Sequence, residues 1–172
     1  MPPESPHLFV PPGALHGQQM ALQGEEAARA YAKGLRAGMR LTALDGSGWA
    51  LEVDLVEVGP TLCYGRVLSR HLAAEPRSKV TLYQAMLHPS DFRRLLGLAT
   101  GLGVVAFQPV IAEGAVLPRL DEAGRPEGET EWPLLIRDAA EAAGRGLLPQ
   151  VAPPMLLDAA MDQAHTAGAR LM

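Results

Sequence analysis

Four cations, Arg29, Lys33, Arg36 and Arg40, crowd the passage from one expected helix into the next expected strand. Cations grouped in this way are a candidate phosphate-binding patch for RNA, since phosphate contacts dominate nucleic-acid affinity and fix register. The competing reading for each is a solvated helix face balanced by Glu25 and Glu26. Arg66 and Arg70 share one face of an alternating run, and either extend the patch or form the wet side of a strand. A second candidate lies in "RDAAEAAGRGLLPQV" (137–151), where Glu141 precedes Arg145 by four residues. On a continuous helix the two share a face, as a surface ion pair or as the wall of a substrate pocket. The alternative is that Arg145 caps the helix, where a cation near the last carbonyls gains ~0.3–1 kcal/mol and Gly144 or Gly146 supplies the left-handed exit.

The other reactive side chains point to no second chemistry. The single cysteine, Cys63, lies in an alternating run and reads as a buried strand thiol; with no partner it makes neither an internal disulfide nor a multi-cysteine zinc site. The 5 histidines show no metal-ligand spacing, and His88 before Pro89 reads as a surface loop residue. "DEAGRPEGETE" lacks a calcium-loop pattern, and "GSG" (46–48) is a hairpin turn rather than a phosphate loop. Arg93 and Arg94 open a helix, where the dipole disfavours cations. No residue stands out as a general base.

The elements that must hold these residues fall into two halves. "HLFV" (7–10) and "QMALQ" (19–23) are short strands, "GEEAARAYAKGLR" (24–36) is a helix, and "RLTALDGSGWALEVDLVEV" (40–58) is a hairpin turning at Asp45-Gly46. "TLCYGRVLSRHL" (61–72) is a third long strand, so the front half is a small barrel or curled sheet. "LAAEPRSK" (72–79) carries the junction. Beyond it strand and helix alternate: strand 80–86, helix 91–103, a buried strand 104–111, then helices over 131–145 and 155–165. Only two strands of this half are evident, which makes a poor parallel sheet. The polar stretch 117–131 is expected to be a mobile loop.

With 172 residues, 48% hydrophobic and 20% charged, the chain has the composition of a soluble globular protein of one large or two small domains. The net charge of -4 excludes a global basic field, so any nucleic-acid surface must be a local arginine patch. No signal peptide and no apolar run of ~20 residues is evident, and a cytoplasmic protein without a membrane partner is expected.

Several stretches, taken in order, resemble one family. They are "FV" near the start, "GLRAGMRLTALDG" (34–46), "QAM" (84–86), "LLGLATGLGV" with "QPV" (95–110), and "AAEAAGR" with "LPQVAPP" (139–154). In order and spacing this resembles the ribosomal RNA small subunit methyltransferase E family, across about residues 8 to 155. The resemblance implies an α+β protein: an N-terminal PUA-like β-barrel (1–74), then an incomplete, SPOUT-like α/β domain with a parallel sheet (75–172). It implies N3-methylation of a uridine in 16S rRNA with S-adenosylmethionine, the small ribosomal subunit as partner, and a homodimer. It places Arg29, Lys33, Arg36 and Arg40 toward RNA and Glu141 and Arg145 at a substrate pocket. Several polar positions of the family are apolar or small here, namely Leu98, Gly101, Gly114, Ala115, Ala142 and Ala143. The Gly-Pro-Glu-Gly-Gly type loop that serves the cofactor in the family is not in this sequence, so the cofactor contacts are expected to be missing. Three readings stay open: a methyltransferase, a non-catalytic RNA-binding or ribosome-associated module, and a gene fragment.

Overall fold

The computed structural model describes residues 5–116, 119–120 and 125–168. The chain divides into two compact units. The first takes Met1–Glu75 together with Ala140–Leu148, and the second takes Pro76–Ala139 and Pro149–Met172.

In the first unit, β1 (His7–Phe9) stops before Pro11-Pro12, and a 3-10 turn (Pro12–Ala14) leads into β2 (Leu15–His16) and β3 (Gln19–Gln23). Along β3 exposed and buried residues alternate, and Met20 and Leu22 enter the core. Helix α1 (Gly24–Ala32) buries Ala27 and Ala30 and carries Glu25 and Glu26 in its first turn, where the dipole favours them. It is shorter than its pattern suggests because Gly34, at φ 84, turns the chain out. The amides of Gly34 and Leu35 donate to the carbonyls of Tyr31 and Ala30, a Schellman ending. Strands β4 (Arg40–Leu44), β5 (Trp49–Val58) and β6 (Leu62–Leu72) follow. The Asp45 carboxylate ties the β4–β5 loop by accepting from the amides of Ser47 and Trp49 at 2.8 and 3.1 Å.

These strands form one mixed sheet in the order β1-β4-β5-β6-β3-β2, with β1 parallel to β4 and the other neighbours antiparallel. The order has two ends, and among the described residues no ladder joins β1 to β2. One face carries the main core of Leu8, Met20, Leu22, Leu41, Val53, Leu55 and Cys63 with α1. Phe9, Leu44 and Ala50, which pair with one another across β1, β4 and β5, form a smaller cluster with Ala140.

The second unit holds β7 (Val80–Ala85), α2 (Pro89–Gly101), β8 (Val104–Ile111), α3 (Trp132–Ala142), β9 (Gln150–Val151), β10 (Met155–Leu156) and α4 (Leu157–Thr166). Residues Ala140–Ala142 of α3 count with the first unit. Its sheet is parallel and has four strands, β8 pairing with β7, β9 and β10. The two extra strands are two residues each and were not apparent in the pattern. Phe92, Leu96, Phe107, Trp132 and Ile136 form the core, with the Phe92 and Trp132 rings 4.9 Å apart. Of the expected polar loop, residues 117–118 and 121–124 lie outside the described residues. The whole is α+β, with a mixed and a parallel sheet.

Candidate nucleic-acid interface

Arg29 and Lys33 are one turn apart on α1, with Lys33 as its C-terminal cap, so both reach the same point. That point is the Glu141 carboxylate, which is 3% exposed. Its Oε1 accepts from Nη2 of Arg29 and, at 2.7 Å, from the buried backbone N–H of Phe9. Its Oε2 accepts from Nζ of Lys33 at 2.7 Å. A carboxylate so deeply withdrawn from water is tolerable only with such charge-assisted partners.

Arg36 and Arg40 behave differently. Arg36 donates to the carbonyls of Tyr31 and Leu35 at 3.1 and 2.7 Å and lies over the Tyr31 ring, 4.5 Å from its centre. It therefore serves the C-terminal end of α1 while remaining exposed. Arg40 pairs with Asp54 across β4 and β5 at 3.0 Å, both side chains about half exposed. Arg70 stacks over Trp49 at 4.0 Å and lies 3.8 Å from Asp45.

Arg145 is buried, and its Nη2 donates to Oε2 of Glu75 at 3.0 Å. The other oxygen of Glu75 accepts from the amide of Leu147 at 2.9 Å. Helix α3 ends at Ala142, and Gly144 at φ 64 takes the left-handed exit. The amides of Gly144 and Arg145 close the end on the carbonyls of Glu141 and Ala140. The structure thus brings Arg29, Lys33 and Glu141 together and sets Arg145 on Glu75. The segment 140–148 is held further by Gly146, whose carbonyl accepts from the Gly48 amide at 3.2 Å. A Cβ at Gly146 would stand 2.5 Å from that of Ala73.

Sequence reasoning missed Glu75, which stands in the junction stretch with nothing in its spacing to single it out. It also missed an open cleft of about 450 Å³ over the β1-β4-β5-β6 face, lined by His7, Thr42, Glu52 and His71 among others. A polar Thr42 inside the buried run of β4, directly opposite Glu52, was the available signal. Cys63 is fully buried, and burial pushes its thiol up, which leaves it a packing residue. Among the described residues no group of three or more His, Cys, Asp or Glu is placed to hold a metal ion. No described helix is long and apolar enough to cross a membrane.

Residues 74–172 match the model of an RNA methyltransferase domain family. The chain belongs to that RNA methyltransferase family. Solved structures agree with the assignment. The ribosomal RNA small subunit methyltransferase E of Neisseria gonorrhoeae, solved bound to S-adenosylmethionine, is similar with a TM-score of 0.80 and 25% identity, over 93% of this chain and 66% of that one. A putative methyltransferase of Legionella pneumophila, also in complex with S-adenosylmethionine, has a TM-score of 0.80 at 21% identity, over 94% of this chain and 67% of that one. A predicted RNA methyltransferase of Thermotoga maritima has a TM-score of 0.64 at 16% identity, over 88% and 66%. Comparison with curated protein sequences returns no match. The chain spans about two thirds of the length of these solved structures.

Two of these solved structures hold S-adenosylmethionine, which raises the question of where the second unit would hold it. One cleft of the second unit, of about 320 Å³, is lined by Arg119, Leu120, Pro126, Glu127, Gly128 and Thr130. That volume is at the low end for a cofactor-sized ligand. Glu127 can accept from an ammonium group, but Leu120 and Pro126 alone do not sandwich a purine. The described residues of this cleft do not fit the cofactor.

Proposed function

We propose that this chain serves N3-methylation of a uridine in 16S rRNA in the cytoplasm, and that its own share is recognition of the RNA by the first unit, a PUA-like module followed by a SPOUT-like one. The likeness to the methyltransferase E structure over 93% of this chain carries this reading, and the family match over residues 74–172 supports the methyltransferase part of it. S-adenosylmethionine enters as the methyl donor by that same likeness, since two such neighbours were solved with it bound.

Within the first unit the exposed cations are the parts suited to phosphate. Arg36 and Arg40 keep much of their guanidinium in water, whereas Arg29 and Lys33 are drawn onto Glu141. Arg36 and Arg40 therefore supply most of the phosphate attraction. Glu141 and Arg145 act by holding the segment that ends α3 against the sheet. The second reading is a non-catalytic RNA-binding module.

Binding of a 16S rRNA fragment to the full chain tests the reading. Affinity should fall linearly with the logarithm of salt, and Arg36→Glu with Arg40→Glu should weaken it and flatten the slope by about two phosphates' worth. Affinity for the fragment that does not change in the double variant refutes the assignment of these residues. Calorimetry with S-adenosylmethionine separates the two readings, because saturable heat supports the methyltransferase and its absence supports the binding module.

A further inference from the structure

The cleft over the sheet has a polar floor that the ion pairs do not use. His7, Thr42, Glu52 and Ser69 are paired in register across β1, β4, β5 and β6, and Ala50 pairs with His71 one step along. Paired residues point to one face, so these side chains stand together. Thr42 is buried, and its hydroxyl donates to Oε1 of Glu52 at 2.9 Å. That bond fixes one oxygen of the carboxylate, which lines the cleft, and leaves Oε2 with no hydrogen-bond partner among the described residues. The imidazoles of His7 and His71 have no hydrogen-bond or ion-pair partner among the described residues, and both line the same cleft. The His7 ring rests against Gly144, where an added Cβ would lie 3.0 Å from Nε2. The rest of the wall is small, with Ala73, Ala142 and Ala143 leaving a gap that a flat ring can enter.

We propose that this cleft holds an unpaired guanine of the bound RNA. The inference rests on the RNA-binding reading above and adds a base preference to it. A fixed carboxylate seeks two adjacent donors, and guanine alone among the four bases presents two on its pairing edge, N1–H and the 2-amino group. An imidazole N–H from His7 or His71 then meets O6 or N7, and the other ring offers a stacking face. Uracil would set two carbonyl oxygens around its one N–H and repel the carboxylate. Adenine would set its N1 lone pair against it. Single-stranded RNA is the form in which such an edge is free.

The test uses the full chain and three fluorescein-labelled RNA pentamers, UUGUU, UUAUU and UUCUU, titrated by fluorescence anisotropy. UUGUU should bind about tenfold more tightly than the other two, as expected for one bidentate base contact. Glu52→Gln, which still accepts from Thr42, should bring UUGUU down to the level of UUAUU. His71→Ala, at the exposed rim, should reduce the preference several-fold without loss of the folded circular dichroism spectrum. Equal affinity for the three pentamers, or a guanine preference that survives Glu52→Gln, overturns the guanine site and leaves the RNA-binding reading standing. Failure of all pentamers and of the 16S fragment to bind overturns both.

Discussion

Replacing Glu141 by alanine tests the central ion cluster of the first unit. The loss has three parts. The buried N–H of Phe9 loses its acceptor, which costs about 1–3 kcal/mol. Arg29 loses the Glu141 carboxylate, and breaking a fully buried pair costs about 3–5 kcal/mol. Its side chain is 16% exposed and keeps Glu26 at 3.8 Å, so water and that carboxylate recover part of the loss. Lys33, with a side chain 35% exposed, behaves as a surface cation and contributes about 0–1 kcal/mol. The combined destabilisation is about 3 kcal/mol.

Urea unfolding reads this out if the first unit has its own reporter. The chain has 2 tryptophans, Trp49 in the first unit and Trp132 in the second. A Trp132→Phe background keeps an aromatic ring against Phe92 and leaves Trp49 as the sole fluorophore. With a slope of about 1.5 kcal/mol per molar urea, Glu141→Ala should lower the Trp49 midpoint by about 2 M. Arg29→Ala should cost less, and Lys33→Ala least. A midpoint shift worth under about 0.5 kcal/mol for Glu141→Ala would show that the cluster is an exposed ion pair in solution, and the argument from burial would fail.

The pair of Arg145 and Glu75 should show a coupling energy of about 1–3 kcal/mol in a double-mutant cycle with alanine, read by the same transition; additive single effects would refute the pairing. Gly146→Ala should destabilise the first unit by about 1–3 kcal/mol, because its Cβ meets that of Ala73 at 2.5 Å and the Gly48 backbone at 3.0 Å. Cys63 should resist iodoacetamide in the native protein and react readily in urea. Burial raises its thiol above the ordinary 9.0, so above the unfolded value the unfolded chain holds fewer protons than the folded one. Stability should therefore fall as pH rises through that window, and Cys63→Ala should remove this part of the slope.

How far the sequence revealed the fold depended on element length. The hairpin of β4 and β5 was legible because the alternation of Trp49, Leu51, Val53 and Leu55 outweighs any helical reading, and Asp45-Gly46 marks the turn. β8 was legible as an apolar run interrupted only by Gln108. β9 and β10 were not, because two residues cannot establish a period of two. Both follow prolines, at Pro149 and at Pro153-Pro154, and exist only through backbone pairing with β8. The C-terminal ends of α1, α2 and α3 moved inward, to Ala32, Gly101 and Ala142, and each is followed two residues on by a glycine at a left-handed φ, Gly34, Gly103 and Gly144.

For the candidate site, residue types were legible and partnerships were not. Glu141 and Arg145 sit four apart, but that spacing faces one side only while the helix lasts. Gly144 ends α3 between them, so Arg145 leaves the helical face and reaches Glu75, while Glu141 turns to Arg29 and Lys33. Lys33 and Glu141 are separated by 108 residues, and no local rule joins groups so far apart. The consequence bears on recognition. Three of the four patch cations already have a carboxylate that competes with phosphate, Arg29 and Lys33 on the buried Glu141 and Arg40 on the half-exposed Asp54, so the electrostatic reach of the first unit is narrower than the arginine count suggests. Because Arg29 and Lys33 are spent on packing, RNA affinity should depend more steeply on Arg36 and Arg40 than on their neighbours one turn earlier.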